Sequence, residues 1–198
     1  WIRRFYRGLL ALAAETSTAL AGGDLARAER VACDIVVLGA VPRGTALRRD
    51  GARAGDEIWV SGRLGAAALA LARGTGAALR RHLRPTPRLR LGAYLRARLG
   101  ATAAMDLSDG LSLDLHRMCL ASKLAASIDP PPVYPGATLE QALHGGEDYE
   151  LLFTVRPGAR VPARYQGTPL TRIGRMRKGE AGEILLDGRR LPAKGWDH

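Results

Sequence analysis

Two carboxylates and a hydroxyl stand together in Asp106-Leu107-Ser108-Asp109-Gly110. Hard oxygen donors of this kind suit a cation such as Mg²⁺, which takes carboxylates together with water and phosphate oxygens. The residues before them, Ala101 to Met105, are small and apolar. After them, Leu111, Leu115, Met118 and Cys119 recur at helical spacing. The segment therefore reads as strand, tight turn, helix, with Asp106 at the strand end and Ser108 and Asp109 at the helix entrance. Free N–H groups at a helix start can also hold an anion. A metal–phosphate turn is one reading. Plain capping of the helix by Ser108 or Asp109 is the other.

Two further stretches have chemical potential. Gly22-Gly23-Asp24 combines close backbone approach with a carboxylate, and it reads equally as a turn. His144-Gly145-Gly146-Glu147-Asp148-Tyr149-Glu150-Leu151 places three acids in a short loop, where they repel one another unless cations or N–H donors share them. Between them, Arg48-Arg49-Asp50-Gly51-Ala52 forms a basic loop ahead of a strand and helix, where an arginine can reach a phosphate or simply face water.

The chain has 198 residues, 46% of them hydrophobic, enough for one large domain or two small ones. No apolar run approaches 18 residues, so no membrane-spanning helix is expected. Net charge is +11, carried almost wholly by arginine, and aromatic residues make up only 5%. Scattered arginines with few aromatics are poor material for stacking on bases, so nucleic acid is not the expected partner. Cys33 and Cys119 have no metal-ligand spacing and read as buried thiols in a reducing cytoplasm. His82, His116, His144 and His198 make no zinc pattern. The chain opens at Trp1 inside an amphipathic helix, which reads as a fragment or an incomplete gene product.

The elements that must position these residues follow from periodicity and punctuation. Residues 1–15 predict a helix, with Trp1, Phe5, Leu9 and Leu12 on one stripe. Short strands are expected at 18–21 and at 30–41, the latter carrying Ile35-Val36-Val37. A strand over 58–61 leads into an Ala/Leu helix ending near Leu71. Residues 73–90, with Pro85 and Pro87, read as a basic surface connection holding a short helix over 77–83. A helix over 89–99 carries Leu91, Leu95 and Leu99. Strands are expected at 123–128, 151–155, 170–173 and 183–186, a helix from Thr138 to Leu143, and a hairpin-type turn at Asp187-Gly188.

The three motifs in this order, with Arg48-Arg49-x-Gly51-Ala52 and Gly55-Asp56 between the first two, closely resemble the thiamine-monophosphate kinases. These belong to the superfamily of aminoimidazole-ribonucleotide synthetase-like ATP-binding enzymes. The resemblance covers essentially the whole chain to its Gly-Trp-Asp-His ending, and the His144–Leu151 block is its most specific part. It implies an α/β fold of α+β type, with mixed sheets flanked by helices. Residues 1–44 would be the remainder of an N-terminal ATP- and metal-binding domain, and residues 45–198 the C-terminal domain. It implies transfer of the γ-phosphoryl group of ATP to thiamine monophosphate, several Mg²⁺ ions, a homodimeric full-length enzyme and a cytoplasmic location, with no nucleic-acid or membrane partner. By the same resemblance, Asp24, Asp106 and Asp109 match metal ligands, and Gly23, Arg48 and Ser108 match ATP contacts. Glu147 matches a substrate contact, and Trp196 is similar to the C-terminal aromatic that lines the thiamine pocket.

Physical chemistry agrees with that allocation. The acceptor is a phosphate monoester, already anionic, so no side chain is needed as general base. The task is to hold two polyanions in line by metal and charge. The absence of a P-loop and of a nucleophile–base pair is then expected. Two positions depart from the family pattern. Leu25 stands where Thr commonly follows the GGD motif, and Asp50 stands where Ser commonly follows the paired arginines. Asp50 can pair with Arg48 and weaken nucleotide binding. The family's N-terminal acidic loop does not occur in this chain, so the expectation is weak nucleotide binding and little kinase activity from these 198 residues alone. The rival readings are another ATP-using superfamily member, such as a purine-biosynthesis synthetase or a selenide-phosphorylating enzyme, and a non-catalytic basic binding module.

Overall fold

The structure, a computed structural model, describes residues 1–196. It divides into two compact units, residues 1–43 and residues 44–198, each described by itself.

The first unit contains one helix, α1 (Ile2–Glu15). Trp1 stacks on Phe5 with ring centroids 5.3 Å apart, and Phe5 meets Tyr6 edge-on at 5.7 Å. Residues 16–43 form neither helix nor strand, which corrects the expectation of strands at 18–21 and 30–41. A strand requires a hydrogen-bonded neighbour and a face to bury. Val36 and Leu38 remain 82% and 87% exposed, so their β-branched and apolar character finds no such partner among the described residues.

The second unit is built on a mixed eight-stranded sheet. Its strands are β1 (Glu57–Ser61), β2 (Ala103–Asp106), β3 (Ala125–Ile128), β4 (Leu151–Val155), β5 (Arg164–Tyr165), β6 (Thr168–Arg177), β7 (Ile184–Leu186) and β8 (Arg189–Arg190). They run in the order β2-β4-β1-β6-β3-β7-β8, with β5 paired to β6. All pairings are antiparallel except β3 with β7. The β7–β8 hairpin turns through Asp187 and Gly188, at φ 48° and 78°. Positive φ at both central residues is the geometry that favours Asp-Gly there.

Alternation along the strands gives the sheet two apolar faces. Ile58, Val60, Ala103 and Leu152 face a large core with Leu111, Leu115, Met118 and Cys119 of α5 (Leu111–Ser122). Ala142 and Leu143 of α6 (Leu139–His144) join them. Phe153, Val155 and Leu170 face a second core with Leu91 of α4 (Leu89–Tyr94) and Leu95. Helices α2 (Ala66–Arg73) and α3 (Gly76–Leu83) share a third, small cluster of Leu69, Ala70 and Ala78. The expected helix over 89–99 is one α-helix continued by a wider π turn at Leu95–Leu99. That turn closes where Gly100 becomes left-handed and the Ala101 N–H donates to the Leu95 carbonyl. Helix α6 starts with a capping box between Thr138 and Gln141.

Of the two cysteines, Cys119 is buried and Cys33 exposed, so the expectation of two buried thiols holds for one. Burial pushes the Cys119 thiol up to about 12, leaving it inert. No helix among the described residues is long and apolar enough to cross a membrane.

Candidate functional site

Strand β2 ends at Asp106, and the chain turns through Leu107, Ser108 and Asp109 into α5. The expected strand–turn–helix is present, but neither Ser108 nor Asp109 caps the helix. No side chain caps it; the turn leading into the helix is held instead by Asp114, which is fully buried. Its carboxylate accepts the N–H groups of Asp109 (3.0 Å) and Gly110 (3.1 Å). Arg117, one turn further on, donates to both Asp109 and Asp114. Its bond to Asp109 is the chief reason its guanidinium holds its proton more tightly than usual, while burial lifts the Asp114 carboxyl above the ordinary carboxylate range.

The acidic loop is laced to this turn through the backbone. The Leu107 N–H donates to the Glu150 carbonyl (2.8 Å), the Glu147 N–H to the Ser108 carbonyl (2.7 Å), and the Tyr149 N–H to the Leu107 carbonyl (3.0 Å). Such closeness requires glycine. A Cβ on Gly146 would stand 2.5 Å from the Ser108 carbonyl oxygen, and one on Gly110 would stand 2.9 Å from the His144 carbonyl. Glu147 and Tyr149 both take positive φ, 62° and 48°. For non-glycine residues this costs about 1–3 kcal/mol each and persists only where the surroundings impose it.

The loop separates its three acids instead of clustering them. Asp148 turns inward, where its carboxylate accepts the N–H of Gly65 at 2.5 Å and of Ala67 at 3.3 Å, fastening the start of α2. Burial raises its carboxyl above the ordinary range. Glu150, wholly buried, accepts from Ser61, Arg81 and Arg88, the last through Nε at 2.8 Å and Nη2 at 2.5 Å. Glu147 is left half-exposed, its Oε2 3.8 Å from Nδ1 of His82. That nitrogen is buried and has no hydrogen-bond partner among the described residues.

A cavity of about 420 Å³ opens beside this turn. Ser108, Asp109, Glu147 and Trp196, four residues singled out in the sequence, all line it, with His144, Gly145, Gly146 and Tyr149. The Trp196 N–H donates to the Asp109 carbonyl (3.1 Å), while its side chain stays 68% exposed. It is thus an open wall rather than a packing anchor. The Tyr149 phenol is pushed up first by burial and then by the fields of Glu147, Asp106 and Asp109. The cavity is therefore negative and rich in acceptors, with aromatic surface at its edge. It suits a cationic or N–H-bearing heterocycle.

A second, shallower cleft is lined by Arg48, Arg49, Asp50, Met105 and Asp106. The Arg48 carbonyl accepts the Ala104 N–H (3.2 Å), which lays this segment along the free edge of β2. Arg48 forms a two-point pair with Asp50, as the sequence departure foretold. The hydrogen bond to Asp50 raises the Arg48 pKa, and the same bond lowers that of Asp50. Asp106 and Asp109 line different clefts on one turn, Asp106 beside the cationic arginines and Asp109 beside the acceptor-rich cavity.

Asp24 and Gly23 belong to the first unit, where Asp24 is exposed and its Oδ1 accepts the Leu25 N–H (2.8 Å). Among the described residues no three His, Cys, Asp or Glu side chains converge on a metal position. The donor chemistry of Asp106 and Asp109 nonetheless fits a hard divalent ion, since Mg²⁺ is commonly bound by one or two carboxylates and completed by water and phosphate oxygens.

The sequence reading missed Asp114 and Arg117, and gave His82 and His144 no role in the site. Asp114 and Arg117 had a signal: an acid four residues after Gly110 and a base three beyond it share one helix face. His82 had none, because its nearness to Glu147 arises only in the fold.

Comparison with known proteins agrees with this geometry. Residues 53–187 match the family described as AIR synthase related protein, C-terminal domain. The chain is 37% identical to thiamine-monophosphate kinase of Rhodopirellula baltica, over 86% of this chain and 55% of that protein. It is 38% identical to the thiamine-monophosphate kinase of Salmonella typhimurium, over 100% of this chain and 69% of that protein. A solved structure, AaThiL complexed with AMPPCP and TMP, superposes with a TM-score of 0.64 at 34% identity, over 77% of this chain and 54% of that one. The chain thus spans between about half and about two thirds of the length of these relatives. On these matches the chain belongs to the AIR synthase related family and, within it, to the thiamine-monophosphate kinases.

Proposed function

We propose that the chain carries the acceptor pocket and part of the nucleotide site of an enzyme that transfers the γ-phosphoryl group of ATP to thiamine monophosphate, giving thiamine diphosphate. The observation that carries this reading is the convergence of Ser108, Asp109, Glu147 and Trp196 on one cavity, with Arg48 and Asp106 lining a cleft on the other side of the same turn. The complex of AaThiL with AMPPCP and TMP supports it by relationship.

In this reading the thiamine moiety occupies the acceptor-rich cavity. Glu147 accepts from its ring donors or faces its thiazolium charge, and the Trp196 indole covers its aromatic surface. Ser108 and Arg48 hold phosphate oxygens of the nucleotide. Asp106 and Asp109 would hold Mg²⁺. In the first unit, taken by itself, the family resemblance gives Asp24 a metal role and Gly23 an ATP contact. When bound, Mg²⁺ supplies neutralisation of the phosphate charge. No side chain is needed as base, because the attacking oxygen is already an anion, and the protein's contribution is alignment. The full-length enzyme is read as a homodimer with two domains, of which residues 1–44 and 45–198 are parts. Two unbridged cysteines fit a reducing cytoplasm.

Thermal shift tests this reading against the basic binding module. The expected result is a raised melting temperature with thiamine monophosphate and none with duplex DNA. Steeply salt-dependent duplex binding without a response to thiamine monophosphate would reverse it.

A further inference from the structure

Ser112 lies wholly buried at the start of α5, and its hydroxyl has a single proton to donate. Its Oγ is 2.6 Å from the Lys194 carbonyl oxygen, which can only accept. The proton therefore points there. The same Oγ is 3.2 Å from the Lys194 N–H and 2.7 Å from Nδ1 of His144, and toward both it can only accept. Nδ1 of His144 must then carry a hydrogen, and the neutral ring has its lone pair on Nε2. No hydrogen-bond partner of Nε2 is found among the described residues, and His144 lines the cavity with Glu147, Tyr149 and Trp196.

We propose that Nε2 of His144 is the acceptor that reads an exocyclic amino group on the heterocycle occupying this cavity, so that the site selects an aminopyrimidine over its oxo counterpart. This rests on the reading of the cavity as the thiamine monophosphate pocket. The surroundings leave few alternatives for a donor. The acidic residues Glu147 and Asp109 also line the cavity and their carboxylates only accept, while the hydroxyls of Ser108 and Tyr149 can donate or accept, so the acidic lining favours a ligand that presents N–H groups and positive charge. A carbonyl at the same place would face the Nε2 lone pair and leave both acceptors without a partner. Sites that hydrogen-bond a ligand group reject analogues lacking it far more strongly than apolar sites reject a missing methylene. If His144 only fastened the Lys194–Trp196 segment through Ser112, its replacement would change stability but not ligand choice.

Two measurements test this. The first is ¹⁵N NMR of histidine-labelled protein, with His144→Leu used to assign the signal. It should show Nδ1 protonated and Nε2 bare, and finding the proton on Nε2 would overturn the proposal. The second is calorimetric titration with thiamine monophosphate and oxythiamine monophosphate. The wild-type chain should prefer the amino compound by roughly tenfold or more. In His144→Leu the preference should shrink to within about threefold, through loss of affinity for the amino compound. Equal binding of both compounds by wild type would defeat the selectivity claim while leaving the pocket assignment intact. Binding of neither would instead defeat the pocket assignment, and with it the ligand named here.

Discussion

The guanidinium of Arg48 grips the carboxylate of Asp50 through two hydrogen bonds, Nε to Oδ1 at 2.9 Å and Nη2 to Oδ2 at 2.5 Å. A planar two-point fork is also the geometry with which arginine binds a phosphate, so Asp50 and a nucleotide compete for the same donors. Both side chains are solvent-exposed, which makes the pair easy to displace without abolishing the competition. Replacing Asp50 with Ser should strengthen Mg–ATP binding a few-fold, and Arg48→Ala should abolish the gain. Calorimetry on the single and double variants measures this. Unchanged affinity in Asp50→Ser would mean that the pair does not guard the arginine.

Asp114 holds the turn from beneath. Its carboxylate takes two backbone N–H groups and faces Arg117, with no access to water. Asp114→Ala leaves two buried donors without an acceptor and a guanidinium with one partner fewer. A loss of about 2–4 kcal/mol in unfolding free energy is expected from denaturant titration. The variant should also weaken ligand binding in the cavity, because Asp109 loses the support that orients it. A change under about 0.5 kcal/mol would contradict the role assigned to Asp114.

Much of this arrangement is legible in the chain. The Leu111–Cys119 stripe, the glycines of the acidic loop and the Asp187-Gly188 turn are local signals, in which a residue's own conformational limits or a helical period decide the outcome. The stretch 30–41 shows where local signals stop. Its β-branched run is fit for a strand, but a strand is a relationship with a neighbour, and none is present among the described residues. The three acids at 147–150 were equally opaque. Composition says that they repel. Only the left-handed backbone of Glu147 and Tyr149 reveals that one faces the cavity, one fastens α2 and one is locked between arginines. The nearness of His82 to Glu147 belongs to the same class of long-range fact.

Burial lowers the pKa of His144 from its usual 6.5, with the backbone at Lys194 and the Glu140 carboxylate pulling the other way and the Lys194 ammonium reinforcing burial. Glu147 and Asp109 share its cavity. Because the folded-state value lies below the unfolded one, the unfolded chain takes up a proton first as the solution is acidified. Stability from the neutral ring is fully present above about 6.5 and is lost as pH falls through the lowered folded value. The melting temperature of wild type relative to His144→Gln should therefore decline between roughly pH 7.5 and 5. A difference that stays level, or grows on acidification, would contradict the buried neutral histidine.

The central claim is that the cavity beside the Asp106–Gly110 turn receives thiamine monophosphate, and Glu147 tests it most directly. Glu147 lines the cavity, and among the described residues its carboxylate makes no bond that supports the fold beyond its approach to His82. Calorimetric titration of thiamine monophosphate into wild type and Glu147→Gln is the decisive measurement. One site per chain is expected for wild type, with affinity roughly tenfold to a hundredfold weaker in the variant at an unchanged melting temperature. Equal affinity in the two proteins, or no binding to wild type, would contradict the account.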